Sequence, residues 1–473
     1  KEKCEVYKME RTSLIYQTYV KILERELVPA MGCTEPIAVA YCAAKARELL
    51  EETPTELEIH ASGNIIKNVK SVVVPHTNGL RGLEAAAAVG ALYGDAAGQL
   101  EVISQVTEEE ALSLKGQLER IKCIVIPMDT QHVLDLEVIA RGKDHWASVH
   151  IEDEHTNIVG MCRDGESVDM SRTDAGGKAA DGYESDCNRE IYEKTADNER
   201  DGMAQKGKIE AESDEQMEEE LDYDLLTVAG IKEFADTADL ADVRDVLKRQ
   251  IEYNTAIARE GIEHAYGARI GQVLLTQDTS VRTRAKAMAA AGSDARMSGC
   301  NLPVVINSGS GNQGMTASLP VVEYASHYHK TEEELYRALL VSNLVTLHLK
   351  SGIGRLSAYC GAVSAGVGAG AGIAYLMTGD LSTINHTIVN AIAITSGIVC
   401  DGAKASCAAK IAMAVEAGIM GFEMFEQGCE FYGGDGLVSK GVEQTIRNIS
   451  VLGHEGMKET DKKIIEIMTE TCC

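Results

Sequence analysis

The 473-residue chain carries 45 basic against 73 acidic side chains, a formal charge of −28, which excludes nucleic acid and disfavours anionic lipid as partners. Hydrophobic residues make up 45%, with 44 Gly but only 4 Phe and 1 Trp, so the core is expected to rest on small side chains that let helices approach closely. The length predicts two or three structural units. Thirteen cysteines, and an opening stretch with charges but no apolar signal run, point to a reducing, cytoplasmic setting. No pair has C-x-x-C spacing, which argues against zinc ribbons, thioredoxin-type sites and ferredoxin-type clusters.

In chain order, residues 1–54 read as two helices. One covers about Arg11 to Leu27 and ends before Pro29; the second begins at Thr34-Glu35-Pro36, with Thr34 as N-cap, and runs to about Glu51. Residues 55–160 read as an α/β layer. Its expected strands are LEIHAS, SVVVP, LEVISQV, IKCIVIP, LDLEVIA and WASVHIE, with an Ala-rich helix from Arg81 to Leu92. Residues 161–222 read as an acidic insertion: Met161 to Glu220 holds 19 acidic and 8 basic residues, too polar to form a core of its own.

Residues 223–473 are expected to be helical, with helices near Leu240–Ala258, Glu332–Lys350, Cys360–Met377, His386–Ile398, Ala403–Ile419, Val442–Ile449 and Asp461–Glu470. The fold class is therefore α+β, a mainly helical domain with a smaller α/β layer, and the opening helices fit either part. Ala358 to Met377 runs twenty residues without a charge. It is mostly Gly, Ala and Ser, which predicts a buried helix and no membrane span. Gly361, Ala365 and Ala369, with Gly366 and Gly370, repeat small residues four apart, a spacing for tight helix contact.

Three features carry chemistry. Cys360, Cys400 and Cys407 fall in one helical region. On a continuous helix Cys400 and Cys407 would stand about 10 Å apart along the axis, too far for one compact cluster. A helix starting at Asp401-Gly402 would instead leave Cys400 in a loop that folds back. Three thiolates can hold a cubane cluster and leave one iron open; the same three residues also suit a core as small hydrophobes. Cys33, in M-G-C-T-E-P, stands at a helix start, where unpaired N–H groups favour a thiolate, or where a cysteine simply packs. Ser308 to Gly314, S-G-S-G-N-Q-G, follows the apolar run LPVVI. Such a loop offers backbone N–H groups to phosphate or carboxylate, or is only a turn. Pyridoxal enzymes use similar loops, but the upstream stretch GSDARMSGCNLP has no lysine for a Schiff base. Ser62-Gly63-Asn64 and Pro75-His76-Thr77 follow expected strands, and Arg355 is placed to pair with a carboxylate or an acidic side chain.

Taken in order, G-C-T-E-P, S-G-N, V-P-H-T, R-Q-I-E-Y-N (Arg249 to Asn254), S-G-S-G-N-Q-G, G-R-L-S-A-Y-C-G and C-D-G-A-K-A-S-C resemble the L-cysteine desulfidase family, relatives of the iron–sulfur L-serine dehydratases. The resemblance spans nearly the whole chain except Met161 to Glu220. It implies a 4Fe–4S cluster with one open iron on Cys360, Cys400 and Cys407, and Cys33 as the base. The implied substrate is L-cysteine, eliminated to hydrogen sulfide, pyruvate and ammonia without pyridoxal phosphate. Substrate contacts are expected at Ser310, Gly311, Asn312 and Gln313, and at Ser62, Asn64, His76 and Thr77. An L-serine dehydratase shares every one of these needs. A non-catalytic cluster protein would need a fourth ligand such as Cys300 or Cys429. Self-association is compatible with the sequence but not required by it.

Overall fold

The computed structural model describes residues 9–168 and 221–470. Most of the expected acidic insertion therefore lies outside the described residues. In the first half, α1 (Leu14–Glu26), β1 (Pro29–Met31) and α2 (Thr34–Leu50) lead into β2 (Glu56–Ser62), α3 (Gly63–Val69), α4 (Gly82–Tyr93) and α5 (Glu108–Leu118). Strands β3 (Lys122–Met128), β4 (Asp135–Arg141), β5 (Trp146–Glu152), β6 (Ile158–Arg163) and β7 (Glu166–Ser167) complete this part. The second half holds α6 (Val228–Thr237), α7 (Arg244–Glu263), α8 (Ile270–Leu275), α9 (Val281–Met297), β8 (Pro303–Val305) and α10 (Gly311–His327). It ends with α11 (Glu332–Ile353), α12 (Gly361–Thr378), α13 (Leu381–Thr395), α14 (Cys407–Glu426), α15 (Val442–Val451) and α16 (Lys458–Glu470). The fold is α+β and mainly helical, with one small mixed sheet.

The sheet runs β3-β2-β4-β5-β6-β7, with only β2 and β3 parallel. Alternation sets its two faces: Leu57, Ile59 and Ala61 turn inward from β2, as do Leu136, Val138 and Ala140 from β4. Helix α2 covers that face, and α4 crosses it so closely that a Cβ on Gly90 would lie 2.0 Å from the Ala40 carbonyl. The sheet continues past the expected boundary at residue 160, since β6 and β7 reach Ser167. Two expected strands are not strands. Val72, Val73 and Val74 are buried in a turn with a single bridge to Arg81, and LEVISQV folds as a short 3₁₀ segment and turns whose Val102 and Ile103 are buried. Both runs are β-branched because they are buried, and neither finds a strand partner.

The opening helices divide between the two cores. Tyr16 and Tyr19 of α1 meet Phe234 of α6 edge-on, at centroid distances of 5.1 and 5.4 Å, so α1 belongs with the helices. Helix α2 joins the sheet. One ribbon ties the parts together: β1 pairs antiparallel with β8, Pro29 opposite Val305 and Met31 opposite Pro303.

The helical half is built around α12. Among the described residues this is the one helix long and apolar enough to cross a membrane, and 78% of it is buried. Its glycines touch backbone: a Cβ on Gly366 would lie 2.4 Å from the Ala414 carbonyl, and one on Gly418 of α14 would lie 2.2 Å from the Gly366 carbonyl. Gly418→Val is therefore expected to cost about 2 kcal/mol or more by overpacking. Gly116→Ala, in open space on α5, should be neutral or stabilise by up to about 1 kcal/mol. Thermal or urea unfolding of the two variants checks both.

Candidate active site

Cys360 and Cys400 are neighbours because two short segments pair. The Cys400 N–H donates to the Ala358 carbonyl (2.7 Å), the Cys360 N–H donates to the Ile398 carbonyl (3.2 Å), and Tyr359 bridges Val399 between them. Cys360 is the N-cap of α12. After Cys400 the chain reverses through Gly402, whose φ of +89° and close approach to the Lys67 carbonyl leave no room for a side chain. Helix α14 begins at Cys407, later than the start expected at Asp401. Asp401 instead pairs with Lys404 and Lys410. The three thiols are thus brought together by loops and helix starts, not by helical spacing.

Their electrostatics follow from crowding. Burial, and then the nearby Cys400, push the Cys360 thiol up to about 12; Cys407 is raised mainly by burial. Positive charge stands close by. Lys410 Nζ donates to the Val399 carbonyl (2.8 Å), and Lys350, 3% exposed, donates to the Arg355 carbonyl (3.3 Å). Burial pulls the Lys350 ammonium down to about 8, with Cys400 and Cys360 opposing the shift.

Cys33 reaches the same place from the α/β side. It is the true N-cap of α2, with Thr34 as the first helical residue, and it packs with Val72, Met297, Ala403 and Cys407. Its Sγ donates to Glu35 Oε2 (3.2 Å), and Asn68 Nδ2 donates to Glu35 Oε1 (3.0 Å). Thr34 Oγ1 lies 3.1 Å from Glu35 Oε2 and 2.8 Å from the Gly309 carbonyl. The helix start was expected to favour a thiolate. Burial and the Glu35 carboxylate outweigh it and raise the Cys33 thiol well above its ordinary value, with Arg296 opposing. Burial also works to raise the Glu35 carboxyl, but His155, backbone N–H, Cys33 and Arg296 together hold it below the usual range. His155 is itself buried, and burial lowers its imidazole against the pull of Glu35.

The Gly/Ser loop closes the third side. Asn307 and Ser310 exchange backbone hydrogen bonds (3.2 and 3.1 Å) across Ser308 and Gly309, both at positive φ. Ser310 is the N-cap of α10, without a side-chain capping bond. Gly311 presses on Arg296, and Gly314 on the Val305 carbonyl, where a Cβ would sit at 2.0 Å. Gln313 lies against Gly361, next to Cys360. Asn312 Nδ2 is 3.8 Å from Met297 Sδ. A cavity of about 1080 Å³ adjoins the loop, with Ser308, Lys350, Arg355, Glu26, Glu154 and Arg447 in its wall.

The structure thus gathers Cys33, Ser310, Gly311, Asn312, Gln313, Cys360, Cys400 and Cys407. Three expected contacts are occupied by the fold. Ser62 caps α3 and donates to the Val133 carbonyl (2.9 Å), Asn64 donates to Asp461 (2.9 Å), and Thr77 donates to the Val74 carbonyl (2.6 Å). His76 sits in a turn at positive φ, with Nδ1 3.0 Å from the Val106 carbonyl. Arg355 pairs with Glu26 (3.0 Å). Glu35, Asn68, His155, Arg296 and Lys350 also belong to the site, although none is a candidate from the sequence. Glu35 lies inside the G-C-T-E-P motif, whereas Arg296 shares its helix with Arg282, Arg284 and Lys286 and is not marked out by the sequence. Nothing in the sequence singles out His155.

A family model described as serine dehydratase alpha chain matches residues 97–466. UPF0597 proteins are similar along almost their full length. That of Desulfitobacterium hafniense is 53% identical over 466 residues, covering 98% of this chain and 99% of the relative. The relative from Finegoldia magna is 45% identical over 455 residues, 96% of this chain and 100% of its own. One from Treponema denticola is 40% identical over 459 residues, 96% and 98%. The Cys33 segment lies outside the family-model match but within the span shared with these relatives. By that match and these identities, the chain belongs to the serine dehydratase alpha chain family.

Proposed function

We propose that this chain is an iron–sulfur lyase that eliminates hydrogen sulfide from L-cysteine, without pyridoxal phosphate. The observation that carries the reading is the placement of Cys33, hydrogen-bonded to a buried carboxylate and in one packed cluster with Cys407. The donor set fits a 4Fe–4S cluster: Cys360, Cys400 and Cys407 share one site ringed by Lys350, Lys404 and Lys410. Among the described residues, Cys300 keeps company with Tyr266, and Cys429 is exposed near the Gln427 carbonyl, so neither joins as a fourth ligand. When bound, such a cluster supplies a Lewis-acidic iron with no protein ligand of its own, which makes sulfide a better leaving group.

The chain's own residues account for the rest. Cys33 loses its proton by way of Glu35, at a cost because the resting pair keeps the proton on sulfur, and as thiolate takes the substrate's α-proton. The raised pKa lowers the population of thiolate but makes it a stronger base toward a weakly acidic carbon. The electron pair forms the Cα–Cβ double bond, sulfide leaves, and 2-aminoacrylate tautomerises and takes up water to give pyruvate and ammonia. The loop at Ser310 to Gln313 holds and orients the amino acid while this happens. The family description favours a second reading, dehydration of L-serine by the same residues. Anaerobic assay of sulfide from cysteine against pyruvate from serine decides between them: a larger kcat/KM for serine would overturn the cysteine assignment.

Replacing Cys360, Cys400 or Cys407 with Ser should lower iron content, because a serine oxygen matches iron–sulfur ligation poorly. Cys33→Ser should keep the iron and lose turnover. The reverse pattern would make Cys33 a ligand and leave His76 as the first alternative base. Glu35→Gln should also keep the iron and lower kcat on the order of 10²-fold or more with a small change in KM; an unchanged kcat would remove Glu35 from the proton path. Air should inactivate the enzyme, and iron, sulfide and reductant should restore it, whereas full activity in an iron-free preparation would end the reading.

A further inference from the structure

We infer that the substrate's α-carboxylate is received by Arg296 together with the N-terminus of α10, and that this contact makes the site selective for free amino acids over their esters. The inference rests on the elimination reading above. Helix α10 is 17 residues long, and its first backbone bond at this end runs from the Gly314 N–H to the Ser310 carbonyl (3.0 Å). The N–H groups of Gly311, Asn312 and Gln313 therefore have no acceptor within the helix, and no side chain caps them. A helix start of this kind draws anions.

Arg296 supplies the independent observation. It is 1% exposed, near the end of α9, and its Nε donates to the Gly32 carbonyl (2.6 Å). Its Nη2 is buried and has no hydrogen-bond partner among the described residues. The guanidinium lies directly under the start of α10: a Cβ on Gly311 would come within 2.6 Å of Nε and 3.0 Å of Cζ. Glycine at that position keeps the helix start and the cation in one pocket. The charge of Arg296 reaches Cys33 and Glu35, yet it forms no ion pair with Glu35 among the described residues. A buried guanidinium edge without an oxygen partner is costly, and a carboxylate is the group its fork matches.

Acceptors complete the fit. Asn312 Oδ1 and Gln313 Oε1 are also buried without partners among the described residues, and both suit the ammonium end of an amino acid. A zwitterion with its carboxylate on Arg296 and its ammonium on these amides is held at two points, beside the Gly32 carbonyl that precedes Cys33. Esterifying the carboxylate removes the charge and leaves Nη2 unmatched, a loss that hydrogen-bonding sites punish heavily.

The test uses reconstituted holoenzyme as wild type, Arg296→Gln and Arg296→Lys. L-Cysteine and its methyl ester are compared by kcat/KM. L-Alanine, which has no leaving group, is compared with its methyl ester by calorimetric Kd. Wild type is expected to prefer the free acid on the order of 10³-fold in kcat/KM. Arg296→Gln should bring that preference within about tenfold, chiefly through the KM for the free acid. Arg296→Lys should fall between, since the charge remains and the fork does not. An acid-to-ester ratio unchanged in either variant overturns the inference, and so does a wild type that binds L-alanine no better than its ester. If wild type discriminates in binding but releases neither sulfide nor pyruvate, the elimination reading fails while the carboxylate site stands.

Discussion

Four helix N-termini point at one small volume. Cys33 opens α2, Ser310 opens α10, Cys360 opens α12 and Cys407 begins α14. Each start carries about half a positive charge from its aligned peptides. Several starts elsewhere are neutralised locally, as where Ser13, Thr107, Thr227 and Thr331 cap their helices with side-chain oxygens, although α4, α7, α8 and α15 also lack such caps. None of the four converging starts has a side-chain cap. Lys350, Lys410 and Arg296 add full charges to the same place. An assembly of this sign is tolerable only where negative groups collect, which makes it a natural seat for thiolates and carboxylates. The surrounding fold serves this convergence, through α12 packed on glycines and the two-strand ribbon that joins the halves.

Within that field the Cys33–Glu35 pair is the local exception. Two residues apart, at one helix start, both are buried and share a hydrogen bond. The carboxylate gains from the helix dipole, from Asn68 and from nearby His155 and Arg296, so it keeps its charge at the cysteine's expense. The thiol is therefore the proton-bearing member. Asn68 comes from α3, whose Lys67 carbonyl also buttresses the Gly402 turn of the cysteine loop. One short helix thus supports both the Glu35 carboxylate beside Cys33 and the turn between Cys400 and Cys407. The last helix in turn holds α3 from outside, with Asp461 contacting Asn64 and Lys67 (2.9 and 2.5 Å).

The sequence was legible where pattern and environment agree. The long helices α1, α2, α11 and α12 lie within a few residues of their expected positions, because periodicity, capping residues and flanking Pro or Gly all point one way. Strands β2, β4 and β5 were readable from alternation. The runs around Val73 and Val102 misled because a buried turn selects the same β-branched residues as a strand. The start of α14 misled because Asp401 has the chemistry of a cap but spends it on two lysines. In the site, motifs revealed the cysteines and the Gly/Ser loop. His155 and Arg296 stayed hidden because they act through tertiary position, one from a hairpin loop and one from inside a helix. Ser62, Asn64 and Thr77 look equally functional in sequence, yet their polar atoms hold turns and helix ends together.

The pairing of β1 with β8 also sets an order of events during synthesis. Pro29 cannot meet Val305 until the first third of the helical half has left the ribosome. Helix α2 and the sheet share a core of their own and can consolidate earlier. Cys33 is thus committed to its helix long before Cys360, Cys400 and Cys407 exist as a group. The ribbon closes a long loop, and such contacts form slowly. The site is therefore among the last parts of the molecule to be completed, and any metal it takes must arrive at a chain that is already largely folded.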